Sequence, residues 1–181
     1  GSSDYVYSWE KLAFLKGKKL SAKRNHINKF LSVYPDYKYE KITQDNIKDC
    51  EIMSMEWCKL NDCGKSPELK SEACAVKEFF KFYNELNLTG GLIRADGKVV
   101  GFTFGEKMSD DMFVVHVEKA FYDINGAYPI INRDFVKNEL EGYKWINREE
   151  DMGDEGLRKA KSSYQPDFMV EKYTAVLKKE D

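Results

Sequence analysis

The spacing of apolar residues along this chain switches between steps of three to four and steps of two, and each switch marks an element. Residues 8 to 34 read as two helical pieces, the second carrying Leu20, Ile27, Leu31 and Tyr34 on one face. Tyr37 to Ile42 alternates as a short strand. Thr43 is placed to cap a helix in which Ile47, Cys50, Met53, Trp57 and Leu60 recur, and which frays near Asn61-Asp62-Cys63-Gly64. After Pro67 a second helix, to about Leu86, turns Leu69, Ala73, Val76, Phe80 and Tyr83 inward. Two such helices need a flat partner. It follows as Gly91 to Ala95 and Lys98 to Phe104 around Asp96-Gly97, a strong hairpin signal, and as Met112 to Phe121 beyond the Ser109-Asp110-Asp111 turn.

On that third strand, strict alternation sets Phe113, Val115 and Val117 on one face and Val114, His116, Glu118 and Ala120 on the other. His116 and Glu118 are therefore expected to point the same way. Gly126 opens a helix to Leu140 with Ala127, Ile130, Ile131 and Phe135 on its buried side, and Tyr143 to Asn147 is another strand. A strand, a crossover helix and a strand make the pair at 112–121 and 143–149 parallel. A helix over Gly153 to Tyr164 and a strand over Met169 to Leu177 close the chain. The expected fold class is α/β, a mixed twisted sheet with helices on both faces.

The 181 residues suffice for one domain, and 42% hydrophobic with 33% charged residues is a globular composition. Lys plus Arg at 29 against Asp plus Glu at 31 leaves a net charge of −2, which excludes nucleic-acid binding by overall charge and confines any such contact to a local patch. One candidate exists. Lys11, Lys16, Lys18, Lys19, Lys23, Arg24 and Lys29 form, with His26, a run without an acid. Such a run suits RNA, phosphates or an anionic surface, or a solvated face whose lysine stems cover apolar groups. Cys50, Cys58, Cys63 and Cys74 contain no C-x-x-C pair, so free thiols in a reducing, cytoplasmic setting are expected, with neither disulfide nor zinc. His26 and His116 lie too far apart in sequence to suggest metal-ligand spacing. No apolar run is long enough to span a bilayer, no signal-peptide core is present, and Gly1-Ser2-Ser3 reads as a tag remnant.

Charges of both signs converge near the carboxyl end of the strand at 143–147. Arg148, Glu149, Glu150 and Asp151 leave it together, and Arg158 and Lys161 lie three apart on one helical face, ending at Tyr164 before Pro166. Crevices at such strand ends are favoured ligand sites in α/β sheets.

The order strand, two helices, antiparallel strands, helix, strand, helix, strand resembles the GNAT acyltransferase fold. In that family the two parallel central strands splay apart to admit an acyl donor, whose phosphates rest at the start of the crossover helix. The resemblance places that cradle at Asn125-Gly126-Ala127, where a helix N-terminus suits an anion, although the family's glycine-rich pattern is reduced to one glycine. A closer resemblance is to the C-terminal catalytic domain of phosphatidylglycerol lysyltransferases and to soluble bacterial proteins grouped with them. Gly156-Leu157-Arg158-x-x-Lys161-x-x-Tyr164-x-Pro166, then Tyr173, looks like that family's signature. The soluble group resembles the chain along nearly its whole length, through Lys23-Arg24-Asn25-His26-Ile27-Asn28, Val115-His116-Val117-Glu118-Lys119 and Asn147-Arg148-Glu149-Glu150-Asp151-Met152-Gly153. Its members are two tandem GNAT-like halves. The resemblance therefore implies residues 1–34 as a tag remnant and basic linking segment and 35–181 as the GNAT-like domain. Apolar surface would then lie exposed on the helices before residue 34, where a missing N-terminal half or a homodimer mate would pack.

What the resemblance implies for function is an N-acyl or aminoacyl transferase. It would carry the group from an activated phosphate-bearing donor, acyl-CoA or aminoacyl-tRNA, to a small-molecule amine or hydroxyl acceptor, with no tightly bound cofactor. Three carboxylates at Glu149, Glu150 and Asp151 would repel an anionic lipid headgroup, so an amine acceptor fits better. Amine attack on an activated ester needs a base and donors to the oxyanion. Glu118 and Glu149 are the candidate bases and Tyr164 a candidate donor to the leaving group. His116, Asn147, Arg148, Glu150, Asp151, Arg158 and Lys161 are expected around the substrate, Arg158 and Lys161 gripping the donor's phosphate. The alternative is a catalytically silent module of the same fold that binds a phosphorylated ligand, a partner protein or, through residues 11–29, a tRNA acceptor end. An enzyme should gather His116, Glu118, Arg148, Glu149, Arg158 and Lys161 around one cleft, whereas a binder need not.

Overall fold

The computed structural model describes residues 3–65 and 67–177. Seven strands, β1 (Ser3–Ser8), β2 (Lys38–Lys41), β3 (Thr89–Ala95), β4 (Lys98–Lys107), β5 (Met112–Ala120), β6 (Trp145–Asn147) and β7 (Phe168–Glu171), form one sheet in the order β2-β3-β4-β5-β6-β1-β7. Only β5 and β6 pair in parallel. Helices α1 (Trp9–Phe14), α2 (Ser21–Val33) and α5 (Ala127–Glu139) cover one face, and α3 (Ile47–Leu60) and α4 (Pro67–Lys81) the other. A short α6 (Glu155–Ser162), capped by the Asp154 side chain accepting from the Leu157 amide, links β6 to β7.

Each face buries its own core. Tyr7, Leu12, Leu15, Ile27, Phe30, Phe113, Ile130, Ile131, Phe135 and Ile146 fill the α5 side. Ile47, Cys50, Met53, Val76, Phe80, Leu92, Phe102, Phe104 and Val117 fill the other. The expected crossover follows directly, because the apolar stripe of α5 lands on β3, β4 and β5 and brings the chain back to β6 beside β5.

Three expectations are overturned. Gly1 and Ser2 lie outside the described residues, but Ser3, set aside with them, is part of the fold: it opens β1, which lies between β6 and β7 with Asp4, Tyr5, Val6 and Tyr7 buried. Nor does the chain divide at residue 34. Leu12, Ala13, Leu15, Leu20, Ile27 and Phe30 belong to the main core, so the early helices are not a linker, and Phe14 and Val33 are the large apolar side chains they leave exposed among the described residues. Large exposed apolar side chains gather instead after residue 167, at Phe168, Met169, Val170, Tyr173, Val176 and Leu177. Finally, Cys58 and Cys63 form a disulfide, while Cys50 and Cys74 are free. Asp62, at positive φ, turns the chain back at the end of α3 so that the Cys63 amide reaches the Cys58 carbonyl and the two Cα atoms lie 5.1 Å apart.

A bulge decides how β5 presents its side chains. Phe104 faces Val117 and Gly105 faces Val115, which leaves His116 without an opposite number. Gly105 permits it, since a Cβ there would collide with the Val114 carbonyl. The extra residue reverses the alternation. Phe113 and Val115 face α5, whereas Val117 joins the core under α3 and α4. His116 and Glu118 consequently point to opposite sides, not the same side.

Candidate functional site

β5 and β6 stay paired only from Met112–Trp145 to Val114–Asn147. β5 then runs on to Ala120 while the chain after Asn147 turns away through Glu149 and Met152, both at positive φ. Two side-chain bridges span the resulting split, one on each face of the sheet.

On the α5 face, Arg148 Nη2 donates to Glu118 Oε1 at 2.8 Å and Asn132 Nδ2 to Glu118 Oε2 at 2.8 Å. The guanidinium lies 4.8 Å from the Tyr164 ring centre and 5.7 Å from that of Tyr7. Burial is the largest single effect and pulls the guanidinium's pKa down, but the Glu118 charge, Tyr164, Tyr7 and the Glu118 hydrogen bond together hold Arg148 above its ordinary value. Both carboxylate oxygens are thus held. Two buried atoms of this cluster, Arg148 Nη1 and Asn132 Oδ1, have no hydrogen-bond partner among the described residues. Burial raises the phenol pKa of Tyr164 and of Tyr7.

On the opposite face His116 sits between two carboxylates, Nδ1 2.9 Å from Glu149 and Nε2 2.9 Å from Glu106, and stacks on Phe79 of α4 with an interplanar angle of 8°. The Glu149 hydrogen bond lifts its pKa above 6.5 against the opposing effect of burial, with Glu106 adding to the rise. Asn147, 1% exposed, fixes the turn between the bridges: its Oδ1 accepts from the Glu149 amide at 2.7 Å and its Nδ2 donates to Asp4.

Lys161 points inward. Its ammonium donates to the carbonyls of Arg148 at 2.7 Å, Glu149 at 3.3 Å and Glu150, stapling the turn that carries Arg148, and desolvation followed by the Arg148 charge lowers its pKa to about 8. Arg158 points outward. It pairs with Asp151 at 2.8 Å, an acid that also accepts from the Tyr5 hydroxyl and whose pKa is held down first by Arg158 and then by Tyr5. Glu150 lies 3.4 Å from Lys172. The single cleft expected to hold Arg158 and Lys161 beside Glu118 is therefore not formed, because residues three apart on α6 diverge to the interior and to solvent.

Two shallow depressions flank the split. One, of about 380 Å³, is lined by Tyr5, Glu150, Asp151 and Arg158 among others. The other, of about 480 Å³, lies between α2 and the start of α5 and is lined by Lys23, His26, Asp123, Asn125, Gly126 and Tyr128 among others. Gly126, at φ 89°, is needed for close packing, since a Cβ would strike the His26 carbonyl of α2. Asn125 Oδ1 lies 2.7 Å from His26 Nδ1, and the Ala127 amide donates to Ile124, so the helix start is already partly engaged. Among the described residues no group of three or more His, Cys, Asp or Glu side chains could hold a metal ion.

Reading the sequence overlooked Tyr7, Lys23 and Asn132 as site residues. Tyr7 lay in a stretch set aside, and Lys23 was one cation in a basic run. Asn132 carried the clearest signal, a polar residue directly after Ile130 and Ile131 on the buried stripe of α5.

Residues 1–176 match the family model for the C-terminal domain of phosphatidylglycerol lysyltransferase. The chain belongs to that family. A conserved protein of unknown function from Bacteroides thetaiotaomicron is 48% identical in sequence, with a TM-score of 0.89 over 93% of this chain and 57% of its own. A C-terminal domain assigned to lysylphosphatidylglycerol synthetase from Agrobacterium fabrum is 14% identical with a TM-score of 0.65, over 93% of this chain and 57% of its own, a likeness of fold. An uncharacterised protein of Mycoplasmoides gallisepticum is 23% identical over 95% of this chain and 55% of its own length. The chain thus spans a little over half the length of these relatives. Its fold is the mixed α/β sheet with helices on both faces that the sequence led us to expect, and a lysyltransferase family is of the acyl- or aminoacyl-transferase kind. Among the described residues no helix is long and apolar enough to cross a membrane.

Proposed function

We propose that the chain is the transferase half of an aminoacyl or acyl transferase, with the reacting carbonyl held at the split between β5 and β6. The observation that supports this most is the unpartnered Arg148 Nη1, buried beside Glu118 where the parallel strands part. A donor left unpaired in a desolvated site favours a developing oxyanion strongly. Glu118, at hydrogen-bond distance from Arg148, is the carboxylate that takes the proton of the attacking amine. Asn132 and Tyr164 position this pair, and Glu149 with His116 holds the turn open on the far face.

The donor is an activated ester or thioester, aminoacyl-tRNA or acyl-CoA. Its phosphates would lie in the depression before α5, near Lys23 and Asn125–Ala127, and the acceptor is a small amine or hydroxyl. The exposed cations Lys18, Lys19 and Lys29 are free to face a tRNA acceptor end. The apolar residues after 167 would face a further domain or a second copy.

The test offers acyl-CoAs and aminoacyl-tRNAs with polyamines, amino acids and hydroxyl acceptors, and detects product by mass spectrometry. Transfer from either donor class supports the reading. A silent binding module is the second reading, favoured by the engagement of both Glu118 oxygens; it predicts ligand binding without product from any pair.

A further inference from the structure

Most of the cations around the split are held by carbonyls or carboxylates. Lys161 donates to three carbonyls, and Lys119, 2% exposed under Trp57, pairs with Glu72 at 3.0 Å. Arg24 donates to the Leu15 and Gly17 carbonyls, and Lys11 pairs with Asp167. Lys23 is different. It lines the 480 Å³ depression from α2, its Nζ lies 4.1 Å from the centre of the Tyr164 ring, and among the described residues no ion pair joins it to a carboxylate.

The groups facing Lys23 come from every neighbouring element. The Arg148 guanidinium lies on the other bridge to the same Tyr164 ring and opposes a second positive charge, while Glu118 on β5 attracts one from farther off. Tyr164 supplies a ring, and His26, Asp123 and Tyr128 line the same depression. We propose that Lys23 is a reactive amine of this depression, able to take an acyl group from an activated thioester, ester or acyl phosphate. The Nζ lone pair attacks the carbonyl carbon, and the bond from carbon to sulfur or oxygen breaks. The leaving group departs with the electron pair, and the surplus proton on nitrogen passes to it or to solvent. The product is an Nε-acyl-lysine, stable as an amide, which removes the positive charge beside Arg148. Burial first, and then Arg148, lowers the Lys23 pKa to about 8, so more of it is free amine at neutral pH than of an exposed lysine.

This proposal stands apart from the transferase reading, because it needs no acceptor other than the chain itself. The test treats the full chain with limiting acetyl phosphate across a pH series and follows each lysine by peptide mass spectrometry. At pH near 7 Lys23 should acquire acetyl roughly tenfold faster than exposed Lys18, Lys19 or Lys29, a margin below the ratio of free-amine fractions because a weaker base is a weaker nucleophile. Its rate should level off above about pH 8, where most of it is already free amine. Lys23→Arg should abolish this labelling and leave the remaining lysines unchanged. A Lys23 that labels no faster than those lysines, with the same pH dependence, overturns the proposal. Labelling of Lys23 without transfer to any added amine would uphold it while removing support for the transferase reading, and transfer with Lys23 unreactive would do the reverse.

Discussion

Lys161 and Arg158 share a helix, a charge and a sequence signature, yet the structure gives them different work. Lys161, 8% exposed, satisfies three consecutive carbonyls at the turn that presents Arg148. Lys161→Met should therefore lower stability by about 2–4 kcal/mol, since buried carbonyls lose their donor, and urea unfolding will measure it. Arg158→Ala, at an exposed ion pair, should leave the unfolding midpoint where it is. Equal losses from the two would contradict this division. His116 makes a second prediction. Because its folded pKa is raised above 6.5, the stability it contributes is complete below that pH and is lost as pH rises through the higher folded value. The difference in unfolding midpoint between wild type and His116→Gln should be largest in mild acid and shrink as pH rises past the ordinary imidazole range of about 6.5. A difference independent of pH would show that the Phe79 stack, rather than the two carboxylates, is what holds the imidazole.

At the level of elements, those whose apolar period is long and regular were legible: the helices at 47–60, 67–81 and 127–139, the 89–107 hairpin, and the parallel pair joined by α5. What escaped was set by tertiary context. β1 is six residues with both faces buried, so it lacks the alternation that marks a half-exposed strand, and its place between β6 and β7 depends on partners more than 130 residues away. A chain starting at residue 9 should consequently fail to give a cooperative thermal transition, whereas a cleanly folded truncation would show β1 to be dispensable. The β5 bulge escaped because one unpaired residue leaves no mark on composition, and strict alternation then put His116 and Glu118 on the same face. The Cys58–Cys63 bond escaped because the spacing fits a helix until Asp62 reverses the chain. Thiol titration of denatured, unreduced protein should find the two free cysteines, Cys50 and Cys74, and all four after reduction. Four thiols before reduction would exclude the bond. Closing so short a loop should be worth about 2 kcal/mol.

For the whole molecule, the split between β5 and β6 is where every layer of the fold converges. β1 brings Tyr7, α5 brings Asn132, α2 brings Lys23, and the turn after β6 brings Arg148 to Glu118. The family signature after Gly156 was legible in sequence, and its Lys161 and Tyr164 lie against Arg148. Which of its residues face inward was not, because that depends on how α6 lies against the turn it staples. The most direct test of the account is turnover by the Glu118→Gln and Arg158→Ala variants, with whichever donor and acceptor give product with wild type. Glu118→Gln should lower kcat by about 100-fold or more with little change in donor affinity, while Arg158→Ala leaves both unchanged. Full turnover in Glu118→Gln, or a large loss in Arg158→Ala alone, would place the chemistry in the outer depression and contradict the account.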